Sequence, residues 1–117
     1  MTRRHVLVHE SETCNVFLIE WPVGTGLDWH DHGRSKATIQ MLEGVLVEYV
    51  ESGCDVFEDR LFIGVNRFMG AGVRHKVVNE GDKTAVSLHT YRPPLTVEYS
   101  EDLEIGGLGI DIQRPVD

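Results

Sequence analysis

The sequence predicts an all-β domain, a sandwich or small barrel, and three observations carry that reading. Apolar and polar residues alternate over short runs such as Ala37–Leu42 (ATIQML) and Thr84–Tyr91 (TAVSLHTY), the period-2 pattern of strands with one buried face. Glycine, asparagine or aspartate interrupts these runs roughly every 6–12 residues, the turn spacing of all-β folds. No stretch of about 10 residues sustains a helical period. A chain of 117 residues supplies one such domain, residues 1–117, and no second.

The elements follow in order. Val6-Leu7-Val8 and Asn15–Trp21 (NVFLIEW) read as the opening strands. Ala37–Leu42 turns at Glu43-Gly44, as a hairpin would, into Val45–Val50 (VLVEYV). Glu51-Ser52-Gly53 turns the chain again, and the segment 55–65 (DVFEDRLFIGV) carries the next strands. The segment 66–74 (NRFMGAGVR) reads as a tight loop before His75–Asn79 (HKVVN). Glu80-Gly81-Asp82-Lys83 leads into Thr84–Tyr91, which Arg92-Pro93-Pro94 ends because proline cannot donate to a ladder. Short runs follow at 96–99 (TVEY), 103–105 (LEI) and 109–112 (GIDI).

Composition narrows the partners. Nineteen Asp+Glu against eleven Lys+Arg leave a formal charge of −8. That balance argues against nucleic acid and against anionic membrane surfaces, both of which need a basic patch. The longest apolar runs, such as Val16–Ile19, fall far short of the ~20 residues of a membrane span. The N-terminus MTRRHVLVHE has no apolar signal-peptide core. Cys14 and Cys54 cannot make a disulfide framework, and no cations flank them in sequence to activate a thiolate. The expectation is a reduced, cytoplasmic protein.

Six histidines stand at positions 5, 9, 30, 32, 75 and 89. His30 and His32, within WHDHG, share one face of an extended chain, so both imidazoles can reach one ion. His75 follows a glycine loop that can bring its strand beside them. Three imidazoles on one side of a metal leave the other side open for ligands. The plain alternative is a pair of surface histidines, and His5 and His9 read as structural. Trp21 and Trp29 read as packing residues.

The spacing around the histidines is specific. Gly24 is followed by five residues, His30, Asp31 and His32, then four residues, Ala37, six residues and Gly44. This resembles the first motif of the cupins, with Ala37 where their glutamate ligand usually stands. Gly64, five residues, Gly70, Ala71, Gly72, two residues, His75, three residues and Asn79 resemble the second, with Gly70 where proline is usual. The resemblance spans Gly24–Asn79 and implies a single-domain cupin jelly-roll barrel with a metal near its centre. Without the glutamate, three neutral imidazoles leave a divalent ion its full charge, which suits an anionic ligand such as a thiolate.

Ser87, His89 and Tyr91 alternate on one face of their strand, where the plain reading is a half-buried strand with polar residues toward solvent. Beside the two motifs, this segment resembles the Ser-His-Tyr relay of the type I cysteine dioxygenases. That resemblance implies His30, His32 and His75 as Fe(II) ligands, and Tyr91 as the hydroxyl near substrate, backed by His89 and Ser87. It also implies an arginine for the substrate carboxylate, a role that fits the guanidinium fork. Arg4 stands at about the right separation upstream; Arg3 is adjacent, and only one of the two can point into the barrel. Three departures stand out. Ala37 replaces the cysteine that mammalian members crosslink to tyrosine. Family members carry a helical segment ahead of the arginine strand, so the pocket here is expected to be more open or covered by a second subunit. Arg92 stands before Pro93 where a small residue is common, a change expected to bear on substrate choice.

The expectation is therefore an Fe(II)-dependent thiol dioxygenase acting on a small thiol and O2, as a homodimer through edge strands. The alternatives are another metal-dependent cupin oxygenase or isomerase, using Mn, Ni, Cu or Zn, and a non-catalytic metal- or ligand-binding cupin.

Overall fold

Strand β9 (Ala85–Arg92) shows how the alternation becomes a barrel wall: Ala85, Ser87, His89 and Tyr91 are buried while the residues between them are less so. The computed structural model describes residues 2–95, 99–100 and 110–113, the last two stretches as backbone. The other strands are β1 (Arg3–Glu10), β2 (Asn15–Trp21), β3 (Gly26–Asp31), β4 (Lys36–Glu43), β5 (Leu46–Ser52), β6 (Asp55–Leu61), β7 (Asn66–Met69), β8 (His75–Val78), β10 (Tyr99–Ser100) and β11 (Ile110–Gln113). They form two facing sheets, ordered β11-β1-β2-β9-β4-β7 and β10-β3-β8-β5-β6. Every pairing is antiparallel except β1 with β11. This is the jelly-roll barrel of a cupin. No helix among the described residues is long and apolar enough to cross a membrane.

Three expectations change, the first being that the segment 55–65 carries a single strand, β6, which ends at Leu61. The Glu43-Gly44 turn is not a hairpin, because β4 pairs with β9 and β7 while β5 pairs with β6 and β8 in the other sheet. It is a corner where the chain changes sheets. Gly44 is required there: its φ is +71°, and a Cβ would lie 2.9 Å from Ala85 Cα, so a side chain meets both strain and backbone. The segment 66–74 is not all loop, since Asn66–Met69 forms edge strand β7 against β4. The tail run at 109–112 falls largely on β11, whereas 96–98 and 103–105 lie outside the described residues.

Following each inward face along its strand, apolar residues give way to polar ones at a common level. One end is filled by Ile19, Trp21, Leu27, Ile39, Met41, Leu46, Leu61, Val77 and Ala85. Leu46 and Leu61 are cross-strand partners with no exposure, and burying each is worth ~2 kcal/mol. The next inward positions are Ser87 and His89 on β9, His30 on β3, His75 on β8 and Glu48 on β5, all buried. Beyond them lies a second small apolar cluster of Ala37, Met69 and Tyr91, with Phe17, Val50, Val73 and Leu95 against it. The barrel therefore has a dry floor, a polar middle layer and an aromatic rim.

Candidate metal centre

Strand register brings the first two histidines together. His30 on β3 is the direct cross-strand partner of His75 on β8, and their ring centroids are 4.4 Å apart. A register shift between Leu27 and His30 turns the end of β3. His32 then follows just beyond the strand, its ring 5.0 Å from those of His30 and His75. A turn keeps it there: Ser35 N–H donates to His32 O at 3.0 Å, and Gly33 N–H to Asp31 Oδ1 at 2.7 Å. The glycine loop before His75 is tied to the same turn by Gly72 N–H donating to Gly33 O at 3.0 Å. Ser35 Oγ–H donates to Pro93 O at 2.8 Å, which joins the turn to the end of β9.

The three histidines each offer a ligand nitrogen, all within 4.8 Å of one another, and all three residues are buried. His30 Nδ1–H donates to Asp28 O at 2.6 Å and His75 Nδ1–H to Glu48 Oε2 at 2.9 Å, so each presents the Nε2 lone pair. Burial, then His75 and Arg3, lower His30 to a pKa of about 4. Burial, then His75 and His30, lower His32 to about 3. Neutral imidazoles are what a metal needs. His75 Nε2 and His32 Nδ1 are buried without a hydrogen-bond partner, polar atoms whose desolvation a bound cation would offset. The residues present fit a divalent metal held by three imidazoles, and the side chain of Ala37 adds no donor.

Ser87, His89 and Tyr91 form a buried chain beside this group. Ser87 Oγ lies 2.7 Å from His89 Nε2, and Tyr91 Oη 3.4 Å from His89 Nδ1. Trp21 extends it, with Nε1–H donating to Ser87 Oγ at 2.8 Å. Indole is a donor only, so the serine proton points to His89 Nε2. His89 is held well below its usual pKa, first by burial and then by the histidines around it, and is neutral. Its remaining proton sits on Nδ1 toward Tyr91 Oη, which leaves the phenol proton to be given elsewhere. The Tyr91 ring lies 5.0 Å from that of His32, so the chain ends at the histidine group.

Arg4 does not face this layer. It is exposed, with Nη1 2.6 Å from Glu20 Oε1 on the outer surface of the barrel. Strand parity puts its neighbour Arg3 inside: Arg3 is fully buried, its guanidinium 5.7 Å over the Trp21 ring and its Nη1 3.5 Å from His5 Nε2. The Arg3 charge reaches His30, so the inward arginine of this strand is Arg3. His5 shares that inward face, where burial and then Arg3 lower its pKa to about 3.

Glu48 and Arg67 were not marked by the sequence motifs. Glu48 sits at the inward position between Leu46 and Val50, and a carboxylate on an apolar inward face was the signal available. Asn79, which ends the second motif, donates from Nδ2 to Trp21 O and Lys83 O at 2.8 Å each and accepts from Gly81 N–H at 3.0 Å. It locks the β8–β9 turn onto β2.

The model of the cysteine dioxygenase type I family matches residues 1–101. The chain belongs to this family. Among solved structures it resembles TT1209 from Thermus thermophilus at 28% identity and a TM-score of 0.71, over 80% of this chain and 85% of that one. An uncharacterized conserved protein with a double-stranded β-helix domain from Klebsiella pneumoniae subsp. pneumoniae shares the fold at 18% identity and a TM-score of 0.70, over 82% of each chain. Bacillus subtilis oxalate decarboxylase, a protein with Mn(II) centres, also shares it, at 19% identity and a TM-score of 0.70, over 77% of this chain and 24% of that one. No curated protein matches the sequence.

Proposed function

We propose that this family member is a non-haem Fe(II)-dependent thiol dioxygenase that oxidises a small, carboxylate-bearing thiol to its sulfinate. The observation that carries the reading is the juxtaposition of three buried imidazoles, with alanine at position 37 adding no carboxylate ligand, and the buried Trp21–Ser87–His89–Tyr91 chain. The overall change is RSH + O2 → RSO2− + H+. The O–O bond breaks, two S–O bonds form, sulfur loses four electrons and dioxygen gains them, and the thiol proton leaves to solvent. Iron would be held by His30, His32 and His75, and would supply the redox chemistry that passes electrons from the thiolate to O2.

The chain's own residues do the rest. Tyr91 gives a hydrogen bond to oxygen as charge builds there, in a water-poor site where such a donor counts most. His89 and Ser87 hold the phenol so that its proton faces outward from the relay. Arg3 takes the substrate carboxylate and fixes which way the sulfur points. A cysteine-like or 3-mercapto acid suits this set; an amine thiol without a carboxylate does not use Arg3. The homodimer expected from sequence belongs to the same proposal. Edge strands β6 and β7 and the loop between them expose Phe57, Phe62, Ile63 and Phe68, and elution as a monomer at micromolar concentration would remove it.

The test is oxygen uptake by anaerobically Fe(II)-loaded protein offered cysteine, 3-mercaptopropionate, cysteamine or no thiol. Uptake with a carboxylate-bearing thiol, matched by equimolar sulfinate and lost in His75→Ala, is the expected result. Stoichiometric iron without uptake from any thiol would overturn the reading. Tyr91→Phe is expected to lower turnover while metal content stays unchanged.

A further inference from the structure

Glu48 has no part in the chemistry above, yet it is completely buried, a costly place for a carboxylate unless its contacts are good. Its Oε2 accepts from His75 Nδ1–H at 2.9 Å. Its Oε1 lies 2.6 Å from Arg67 Nε, a close ion pair whose angle is not that of a hydrogen bond. Arg67 in turn places Nη2 2.6 Å from Asp59 Oδ2 at the exposed edge. His75, Glu48 and Asp59 come from β8, β5 and β6 of one sheet and Arg67 from β7 of the other, so the chain of contacts spans the barrel interior.

The three histidines differ in what backs them. His30 Nδ1–H is held by a neutral carbonyl, that of Asp28, and His32 Nδ1 has no hydrogen-bond partner. Among the described residues, His75 alone of the three is backed by a carboxylate. A carboxylate accepting from Nδ1–H fixes the tautomer, stops the ring turning and pushes electron density toward Nε2. That nitrogen is the buried, partnerless one of His75.

We infer that Glu48, clamped by Arg67, is the positioning residue that holds His75 as an Nε2 donor and makes it the strongest donor of the three-histidine centre. The inference rests on the metal-centre reading and deepens it. Ala37 supplies no carboxylate to the metal; Glu48 places one behind a ligand instead. Arg67 keeps the carboxylate in place from the opposite sheet, so the geometry of an interior ligand depends on an ion pair near the barrel edge.

Co(II) titrated into the metal-free full chain tests this, with affinity read by chelator competition and donor strength by the ligand-field absorption bands. Glu48→Gln keeps the shape but cannot serve His75 and Arg67 together, and is expected to weaken Co(II) binding about 10–100-fold and shift the bands. Arg67→Met is expected to weaken binding in the same direction, and Arg67→Lys to recover part of it. Glu80→Gln, which breaks an exposed contact to Tyr49, is expected to change neither. If wild-type protein binds Co(II), His75→Ala abolishes binding, and folded Glu48→Gln matches the wild type in affinity and bands, this inference fails while the metal centre stands. If the wild type takes up no Co(II), or His75→Ala binds as well as wild type, the metal-centre reading fails and takes this one with it. Should Glu48→Gln not fold, Arg67→Met decides: unchanged affinity and bands there overturn the inference.

Discussion

Acidifying the metal-free protein from pH 7 to pH 5 should unfold it. His5, His30 and His32 have pKa values lowered from 6.5 to about 3, 4 and 3, each by burial first. His89 shifts the same way. A folded-state pKa below the unfolded one means that the unfolded chain binds protons the folded chain refuses. Stability is therefore full above pH 6.5 and falls as the pH drops, levelling only near pH 3–4. At 1.36 kcal/mol per unit of pKa difference expressed, each histidine removes about 2 kcal/mol by pH 5. The three with values together remove about 6 kcal/mol, and His89 adds to it. That is comparable with the whole stability of a typical domain, about 5–15 kcal/mol. The assay is urea unfolding by far-UV circular dichroism in the presence of a chelator at pH 7, 6 and 5. The midpoint should fall steeply with an unchanged slope, and a bound divalent metal should resist the fall. A midpoint constant between pH 7 and 5 would refute the reasoning, because it would mean these imidazoles are not buried neutral.

Other perturbations separate parts of the structure. Gly44→Ala should cost about 1–3 kcal/mol, from its positive φ and the close approach to Ala85, measured as a lower Tm. Ser87→Ala strands Trp21 Nε1–H and His89 Nε2 together in a buried site. At about 1–3 kcal/mol for each orphaned group the loss should be roughly 2–6 kcal/mol by denaturant unfolding, and a loss below about 1 kcal/mol would remove the hydrogen-bonded chain as drawn. Arg4→Gln breaks an exposed ion pair with Glu20, worth at most about 1 kcal/mol, and should leave the KM for a carboxylate thiol unchanged. Arg3→Gln should raise that KM about tenfold or more, the worth of a hydrogen bond between charged groups; the opposite pattern would return the role to Arg4.

The barrel was legible because strand faces are periodic. The alternation in TAVSLHTY by itself puts Ser87, His89 and Tyr91 on one side, and the structure buries all of them. HxH spacing likewise marked His30 and His32, and the glycine framework marked His75. These are local signals, set by residues two apart or by turns that only glycine fits. The same periodicity says that Arg3 and Arg4 face opposite ways but carries no information on which way is inward. That was decided by the pairing of β1 with β2 and by Trp21 beneath Arg3.

Long-range register lay beyond the sequence. Glu43-Gly44 has the composition of a hairpin turn, yet β4 and β5 enter different sheets because their partners, β9 and β8, come from far along the chain. Glu48, Arg67 and Asp59 are unremarkable in sequence, and only the closing of two sheets brings them to His75. By itself the sequence determined the class of fold and the shared face of Ser87, His89 and Tyr91, because both follow from spacing along a strand, whereas grouping His75 with His30 and His32 also needed the resemblance to the cupin motifs. Only the tertiary structure decided which arginine is inside, that Trp21 ends the relay, and that a buried carboxylate stands behind one ligand. Those facts depend on contacts between strands whose separation in sequence leaves no periodic trace.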